Sequence, residues 1–222
     1  MKQTQLYDLT TFLLNEPPKR TPAEIQAILK AEPNEAKPQL HPLNIVLVAS
    51  KQDHGSGQHD YPAWQKRWLE LLGRAPQVNV SEAWEWPSAA QFSNANLLVF
   101  YFWNHQWSLE RYAQLDVFLE RGGGAAFFHA GVIADKEPEQ LASRIGLAAQ
   151  PGPTKYLHTP FALEFKSPNS ALTRGFTTLH LLDEPYWPMF GDTNRVQILA
   201  STIIEGQSHP MLWTFQKGKG RV

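Results

Sequence analysis

The sequence predicts an α/β fold with a mostly parallel central sheet and an antiparallel excursion near the C-terminal end. Three short apolar runs, typical of strands buried on both faces, alternate with amphipathic segments at helical spacing. A polar loop that carries two histidines follows the first run, at the place where open α/β sheets bind their ligands. Beyond residue 142 this alternation gives way to short segments rich in proline and glycine, which are typical of antiparallel strands and turns.

The composition restricts both the partners and the chemistry. With 222 residues, of which 42% are hydrophobic, the chain can bury the core of one α/β domain. Its net charge of −1 and its scattered lysines and arginines argue against a nucleic-acid partner. The sequence has no signal-peptide core and no run of about 18 apolar residues, so we expect no membrane association and a cytoplasmic location. Without cysteine, any nucleophile or metal ligand must come from another residue type.

The chain is predicted to consist of an N-terminal extension, residues 1–43, and one domain, residues 44–222. Within the extension, a threonine cap followed by proline predicts a short helix near residues 22–31. Three further prolines then predict an extended linker that leads into the domain.

Hydrophobic periodicity and capping residues locate the elements of the domain in order. The predicted strands of the parallel sheet cover residues 45–49, 78–84, 95–103 and 125–129. Between them, helices are predicted at 61–72, after Ser88 and from Ser108 to Arg121. In the excursion, strands are predicted at 161–165, 177–182, 196–203 and 210–215, the last two as a hairpin or two edge strands. Because strands and helices alternate, the crossovers should be right-handed and the main sheet parallel.

Histidines that follow two of the predicted strands are the first candidates for chemistry. His54 and His59 lie in the loop after the first strand, and His129 ends another core strand before an Ala-Gly turn. In α/β hydrolases and amidotransferases, the position of His129 holds a serine or cysteine nucleophile. Since parallel strands end at one edge of a sheet, we expect the three histidines to converge there, where they could bind a divalent metal or act as acid and base. The alternative is three separate hydrogen-bonding histidines on loops.

Five motifs occur in a fixed order over residues 44–222. They are G-S-G-Q-H-D after the first strand, R-G-G-G-A-A-F-F-H-A around His129, K-Y-L-H-T-P around His158, D-E-P-Y from Asp183 to Tyr186, and the terminal P-M-L-W-T-F-Q-K-G-K-G-R-V. As an ordered set they resemble the ThuA-like, or trehalose-utilisation, family of the class I glutamine amidotransferase-like superfamily. The resemblance implies a flavodoxin-like three-layer sandwich without the Cys-His-Glu triad, and a role in carbohydrate metabolism. Relatives usually continue to a Gly-His pair, so we expect a chain that ends at Val222 to be truncated or to lack one wall of the site.

Glu184 is the best carboxylate candidate, because it stands beside aromatic residues in the excursion. We predict that His129 and Glu184 form the catalytic pair, for proton transfer next to a sugar carbonyl or for glycosidic cleavage. The alternative is a surface glutamate with Tyr186 and Trp187 packed beneath it. Asp53, by contrast, is expected only to cap or solvate the histidine loop.

The remaining expectations concern ligands and the two functions that we carry forward. The predicted substrate-binding residues are His54, His59, His105, His158, Tyr186 and Trp187. The predicted metal ligands, for a divalent ion as the one candidate cofactor, are His54, His59 and His129. Trp103, Asn104, His105 and Trp107 could form an aromatic and polar wall, although Trp103 taken alone is expected in the core. The histidine loop lacks the glycine spacing of a dinucleotide loop. As partners we expect a small-molecule carbohydrate and allow for a second copy of the chain.

The first function is an enzyme that hydrolyses or isomerises a sugar or an oxidised (keto) sugar, and it is not a cysteine-dependent amidotransferase. The alternative is a non-catalytic carbohydrate-binding or regulatory module on an amidotransferase-like scaffold.

Overall fold

A computed structural model describes residues 21–23, 41–55, 58–166 and 170–222. The chain divides into two compact units, which we name by their sheets. Of the described residues, the parallel unit comprises 41–55, 58–154, 189–197 and 214–222, and the antiparallel unit comprises 21–23, 155–166, 170–188 and 198–213. Pro22 and Ala23 are helical, and the rest of the helix predicted near 22–31 lies outside the described residues. The boundary between an extension and a domain at residue 43 stays a prediction.

The described strands are β1 (Leu43–Ala49), β2 (Val78–Trp84), β3 (Leu97–Phe100), β4 (Gly124–Phe127), β5 (Lys155–Tyr156), β6 (Thr159–Phe165), β7 (Thr178–Asp183), β8 (Tyr186–Trp187), β9 (Gln197–Ile204), β10 (Gln207–Thr214), β11 (Gln216–Lys217) and β12 (Gly220–Arg221). The helices with described ends are α1 (Tyr61–Leu72), α2 (Ala89–Asn94), α3 (Leu109–Glu120) and α4 (Pro138–Ile145), and short 3-10 helices cover His129–Val132 and Thr193–Arg195. Within the described part of the chain, no helix is both long and apolar enough to cross a membrane.

The parallel unit is built on a six-stranded sheet in the order β11-β12-β4-β3-β1-β2. Strand β1 pairs in parallel with β2 and β3, and β4 pairs in parallel with β3 and β12, whereas β11 is antiparallel to β12. The order of the five parallel strands is that of flavodoxin-like folds. The predicted α/β fold with a mostly parallel sheet is therefore confirmed. In such a sheet, the strand order reverses between β1 and β3, and ligands bind at the carboxyl ends of those strands.

Helix α1 covers β1 and β3 on one face of this sheet. As the capping pattern predicts, Asp60 caps the helix, and its side chain accepts a hydrogen bond from the Ala63 amide at 3.0 Å. Apolar side chains of α1 then pack on the strands in a cluster of Ile45, Leu47, Val99, Trp64, Leu69 and Leu72. The buried amide of Gln65 donates to the carbonyls of Leu47 and Ala83 at 2.7 and 2.9 Å. It thereby ties the helix to β1 and β2, close to the carboxyl end of each strand.

The first two glycines after α3 are required, one by its backbone conformation and the other by close packing. Gly122 has a φ of 105°, in the left-handed region that favours glycine. A Cβ at Gly123 would collide with the buried ring of Phe118 on α3. The chain therefore reverses directly from α3 into β4, as the sequence predicts.

In the parallel unit, two strands are shorter than predicted and one helix is not predicted at all. The run at 95–103 is a strand only from Leu97 to Phe100, and the run at 125–129 ends at Phe127, because the chain turns into a 3-10 helix at His129. Helix α4 is absent from the prediction, although Pro138 occupies its first turn and Gly146 ends it at a φ of 94°. Both signals stand in a segment whose proline and glycine content indicates strands and turns instead.

The antiparallel unit contains a four-stranded sheet in the order β10-β9-β6-β7 and a small β5-β8 pair. Strand β6 is antiparallel to β7 and to β9, which confirms the predicted antiparallel character of the excursion. Strands β9 and β10 form a hairpin that turns at Glu205 and Gly206, with φ values of 52° and 77°. Two residues of positive φ are what a tight hairpin requires.

Candidate active site

Two histidines meet at the carboxyl edge of the parallel sheet. His59 lies in the loop after β1, and His129 begins the 3-10 helix after β4. Their Nε2 atoms are 3.0 Å apart, and their rings are nearly perpendicular at a centroid distance of 4.9 Å. The side chain of His59 is 11% exposed. Since β3 lies between the two strands in the sheet, the strand order brings together residues that are 70 positions apart.

Both members of this pair have a strained backbone. The φ values of His59 and His129 are 46° and 48°, in the left-handed region that non-glycine residues rarely adopt. Such a conformation costs on the order of 1–3 kcal/mol for each residue. After His129, Gly131 donates from its amide to the Phe128 carbonyl at 2.8 Å, and a Cβ on Gly131 would lie only 3.0 Å from the Phe100 carbonyl oxygen. The turn that presents His129 is therefore tight as well as strained.

Asp53 holds the histidine loop together, although the sequence predicts only a capping or solvating role. Its Oδ1 accepts hydrogen bonds from Nδ1 of His54 at 2.6 Å and from Nδ1 of His59 at 3.0 Å. Its Oδ2 accepts one from the hydroxyl of the fully buried Tyr61 at 3.0 Å. An ionised carboxylate only accepts, so the proton of a neutral His59 is on Nδ1. The Nε2 lone pair of His59 then faces His129.

The electrostatics of the cluster favour a neutral His59. Burial lowers the pKa of His59 and the neighbouring His129 lowers it further, while the hydrogen bond to Asp53 opposes both, so that the pKa lies below its usual 6.5. For Asp53, burial raises the pKa, but the hydrogen bonds from His54, His59 and Tyr61 outweigh it and the pKa is lowered. Burial and the charge of Asp53 raise the pKa of Tyr61 far above its ordinary value. At neutral pH the cluster therefore contains a carboxylate, a neutral imidazole and a neutral phenol.

His54 contacts Asp53 and His59 from the side that faces solvent. Its side chain is 40% exposed, and its ring centroid lies 3.8 Å from that of His59. Asp53, His54 and His59 each offer one potential ligand atom, and these three atoms lie within 4.8 Å of one another. The predicted convergence of the three histidines is thus present in the parallel unit, with His54 connected through Asp53.

A second set of polar and aromatic side chains adjoins the histidines. The backbone of Trp103 lies close to the Tyr61 hydroxyl. The Trp103 indole donates to Oδ1 of Asp135 at 2.9 Å, and Nδ1 of His105 donates to Oδ2 of the same carboxylate at 2.8 Å. His105 and Trp103 are among the sequence candidates, whereas Asp135 has no recognisable local pattern. We name the set of Trp103, His105 and Asp135 the tryptophan cluster.

The other candidates lie in the antiparallel unit, and their roles stay predictions. Nδ1 of His158 is 3.3 Å from Oε1 of Glu184, and the Glu184 side chain is 16% exposed. Tyr186 forms an edge contact with Tyr156. Trp187 is only 3% exposed, and its indole donates to a carboxylate on the β9–β10 turn. Because His129 and Glu184 belong to different units, their pairing also stays a prediction.

Comparisons with known proteins agree with this description of the fold. The model of the ThuA family, described as trehalose utilisation, matches residues 45–222. The chain is similar to the crystal structure of a protein described as ThuA-like from Parabacteroides merdae, with a TM-score of 0.64 and 18% identity, covering 81% of this chain and 77% of that one. A second such protein, from Bacteroides uniformis, has a TM-score of 0.63 and 13% identity, with 86% and 84% covered. A cytoplasmic protein of Salmonella typhimurium has a TM-score of 0.53 and 14% identity, with 81% and 85% covered. No curated protein sequence matches significantly.

Proposed function

Because the chain belongs to the ThuA, or trehalose utilisation, family, which implies carbohydrate metabolism, we propose that it is an enzyme acting on a sugar or an oxidised sugar through the His59–His129 pair. The observation that carries this proposal is the 3.0 Å distance between the two Nε2 atoms, with Asp53 behind His59. In this arrangement His129 meets the sugar and exchanges a proton with it. His59 accepts from or returns a proton to His129, and Asp53 sets the tautomer of His59. His129 thus has the role of the base, His59 that of its proton-transfer partner, and Asp53 that of the orienting carboxylate.

Isomerisation of an oxidised sugar suits this cluster better than hydrolysis. Glycoside hydrolysis generally uses two carboxyl groups, one of them protonated. Asp53 already accepts three hydrogen bonds and has a lowered pKa, so it is poorly suited to act as an acid. Proton transfer next to a carbonyl needs only a base of moderate pKa and a donor. We propose Glu184 as the second acid or base, and a small-molecule carbohydrate in the cytoplasm as the partner.

The test is proton exchange with solvent. Aldoses, ketoses and disaccharides, including D-fructose and trehalose, would be incubated with the protein in D2O and followed by proton NMR. We expect deuterium to appear next to the carbonyl of a keto sugar, at a rate lowered by roughly 10²–10⁴ in His129→Asn and in Glu184→Gln. His180→Asn, a histidine on β7 outside both clusters, should exchange at the wild-type rate. Exchange that is equally fast in His129→Asn would contradict the proposal.

A divalent metal on the histidines is an alternative form of the proposal, because an ion bound to both Nε2 atoms would take the place of the proton between them. Zinc binds histidine nitrogen at about 2.0–2.1 Å, which separates two ligands of a tetrahedral site by roughly 3.3 Å. The 3.0 Å between Nε2 of His59 and Nε2 of His129 is close to that separation. The contact of His59 with Asp53 is the carboxylate–histidine arrangement common behind metal ligands. His54 is the third proposed ligand.

Elemental analysis by plasma mass spectrometry tests the metal. Protein purified without chelators is expected to contain a stoichiometric divalent metal, and His59→Ala and His129→Ala are expected to lose it, because each removes a ligand. His180→Ala should retain it. Absence of metal from the wild type would contradict this form and leave a metal-free proton-transfer pair.

The second candidate function is a non-catalytic carbohydrate-binding or regulatory module. It is favoured by the histidine at the position where related α/β enzymes carry a hydroxyl or thiol nucleophile. A sugar that raises the melting temperature without exchange or turnover would support this candidate over the enzyme.

A further inference from the structure

The tryptophan cluster fixes two aromatic rings with one carboxylate. The Trp103 and His105 rings lie at a centroid distance of 4.7 Å, tilted by 33°. Each ring donates one N–H to a different oxygen of Asp135, at 2.9 and 2.8 Å. The side chains of His105 and Asp135 are 57% and 37% exposed. The cluster is therefore rigid and accessible at once.

Stability alone does not account for this arrangement. Exposed ion pairs stabilise folded proteins only slightly, so an exposed Asp135–His105 contact adds little to the free energy of unfolding. Fixing a side chain before a ligand arrives, in contrast, lowers the entropic cost of binding. The cluster also adjoins the histidines, because the Trp103 backbone lies close to the Tyr61 hydroxyl, which donates to Asp53.

We propose that the tryptophan cluster is a subsite for a neutral sugar ring that carries two neighbouring hydroxyl groups. The C–H face of the ring would pack on the aromatic surface of Trp103 and His105. Each oxygen of Asp135 already accepts one hydrogen bond and retains acceptor capacity for another. The two oxygens can therefore accept from two adjacent hydroxyls. This inference rests on the proposed function for its substrate class, and it adds the residues that select and orient the ring.

Binding measured by saturation-transfer NMR tests the subsite. The probes are methyl α-D-glucopyranoside and its 3-deoxy analogue, which has no pair of adjacent ring hydroxyls. We expect the glucoside to bind, and the 3-deoxy analogue to bind about ten-fold more weakly or worse, because no pair of adjacent hydroxyls is left to contact both oxygens of Asp135. Trp103→Ala and Asp135→Asn should each weaken glucoside binding by about ten-fold or more. Trp84→Ala, an exposed tryptophan on β2, is the matched control and should bind as the wild type does.

Two results would overturn the subsite: no saturation transfer to the glucoside in the wild type, or equal binding by Trp103→Ala and the wild type. The outcome is separable from that of the proposed function. If glucoside binding depends on Trp103 and Asp135 but no solvent exchange is observed, the subsite is supported and the enzymatic function is contradicted. If the protein catalyses solvent exchange and Trp103→Ala leaves KM unchanged, the enzymatic function is supported and the subsite is contradicted.

Discussion

Asp53→Asn is expected to lower kcat/KM by roughly 10³–10⁴ without unfolding the protein, the effect seen when an orienting carboxylate loses its charge. An amide has one oxygen and one donor group where Asp53 has two accepting oxygens. If the amide N–H faces His59, it moves the imidazole proton from Nδ1 to Nε2, and the lone pair that faces His129 is lost. If the N–H faces Tyr61 instead, two donors point at each other, because the Tyr61 hydroxyl donates to Asp53 at 3.0 Å in the native protein.

The pH profile of the same variant provides a second readout. In the wild type, burial and the neighbouring His129 lower the pKa of His59, and Asp53 opposes them. The base form of His59 therefore persists below pH 6.5, and activity should fall only at lower pH. Removal of the Asp53 charge removes an effect that raises this pKa, so the acidic limb of kcat/KM should move to still lower pH.

Asp60→Asn is the matched control for Asp53→Asn. Asn caps helices as well as Asp does, so this change should leave both activity and melting temperature close to those of the wild type. A value of kcat/KM for Asp53→Asn within about three-fold of the control would contradict the orienting role, given the loss expected from a reversed tautomer.

His129→Gly is expected to abolish activity and at the same time to stabilise the protein. Activity should fall by roughly 10²–10⁴, because the group that exchanges a proton with the sugar is removed. The free energy of unfolding should rise by about 1 kcal/mol, because glycine adopts a φ near 48° without the steric cost that His129 incurs. Chemical denaturation and the NMR exchange assay measure the two effects on the same sample.

Gln77→Gly separates the backbone effect from the loss of the imidazole. Gln77 has a φ of 64° and lies in the turn before β2, outside the histidine cluster. This variant should gain stability to a similar extent and keep full activity. If His129→Gly is instead less stable than the wild type by more than 1 kcal/mol or so, the imidazole stabilises the fold, and strain retained for function is the wrong explanation.

Local patterns were sufficient to predict most of the fold. The bounds of α1 and β2 agree with those predicted, because a capping residue or a turn marks each end. The capping box at Ser88 and the cap at Ser108 are also present. Helix α4 was missed because its start and stop signals fall within a segment that resembles strands and turns in composition.

Polar loops with histidines at the carboxyl ends of buried strands are predictable from the sequence, because strand periodicity and chain direction are local properties. Which of these groups meet depends on how distant segments pack. The contact of His59 with His129 depends on the order of β1, β3 and β4 across the sheet, and the link from Trp103 to Asp135 depends on how two separate loops fold against each other. The sequence predicts Asp53 to be a capping or solvated loop residue, because none of its neighbours along the chain indicates that three donors converge on it. Convergence of this kind is set by packing between distant segments, and a one-dimensional pattern does not encode it.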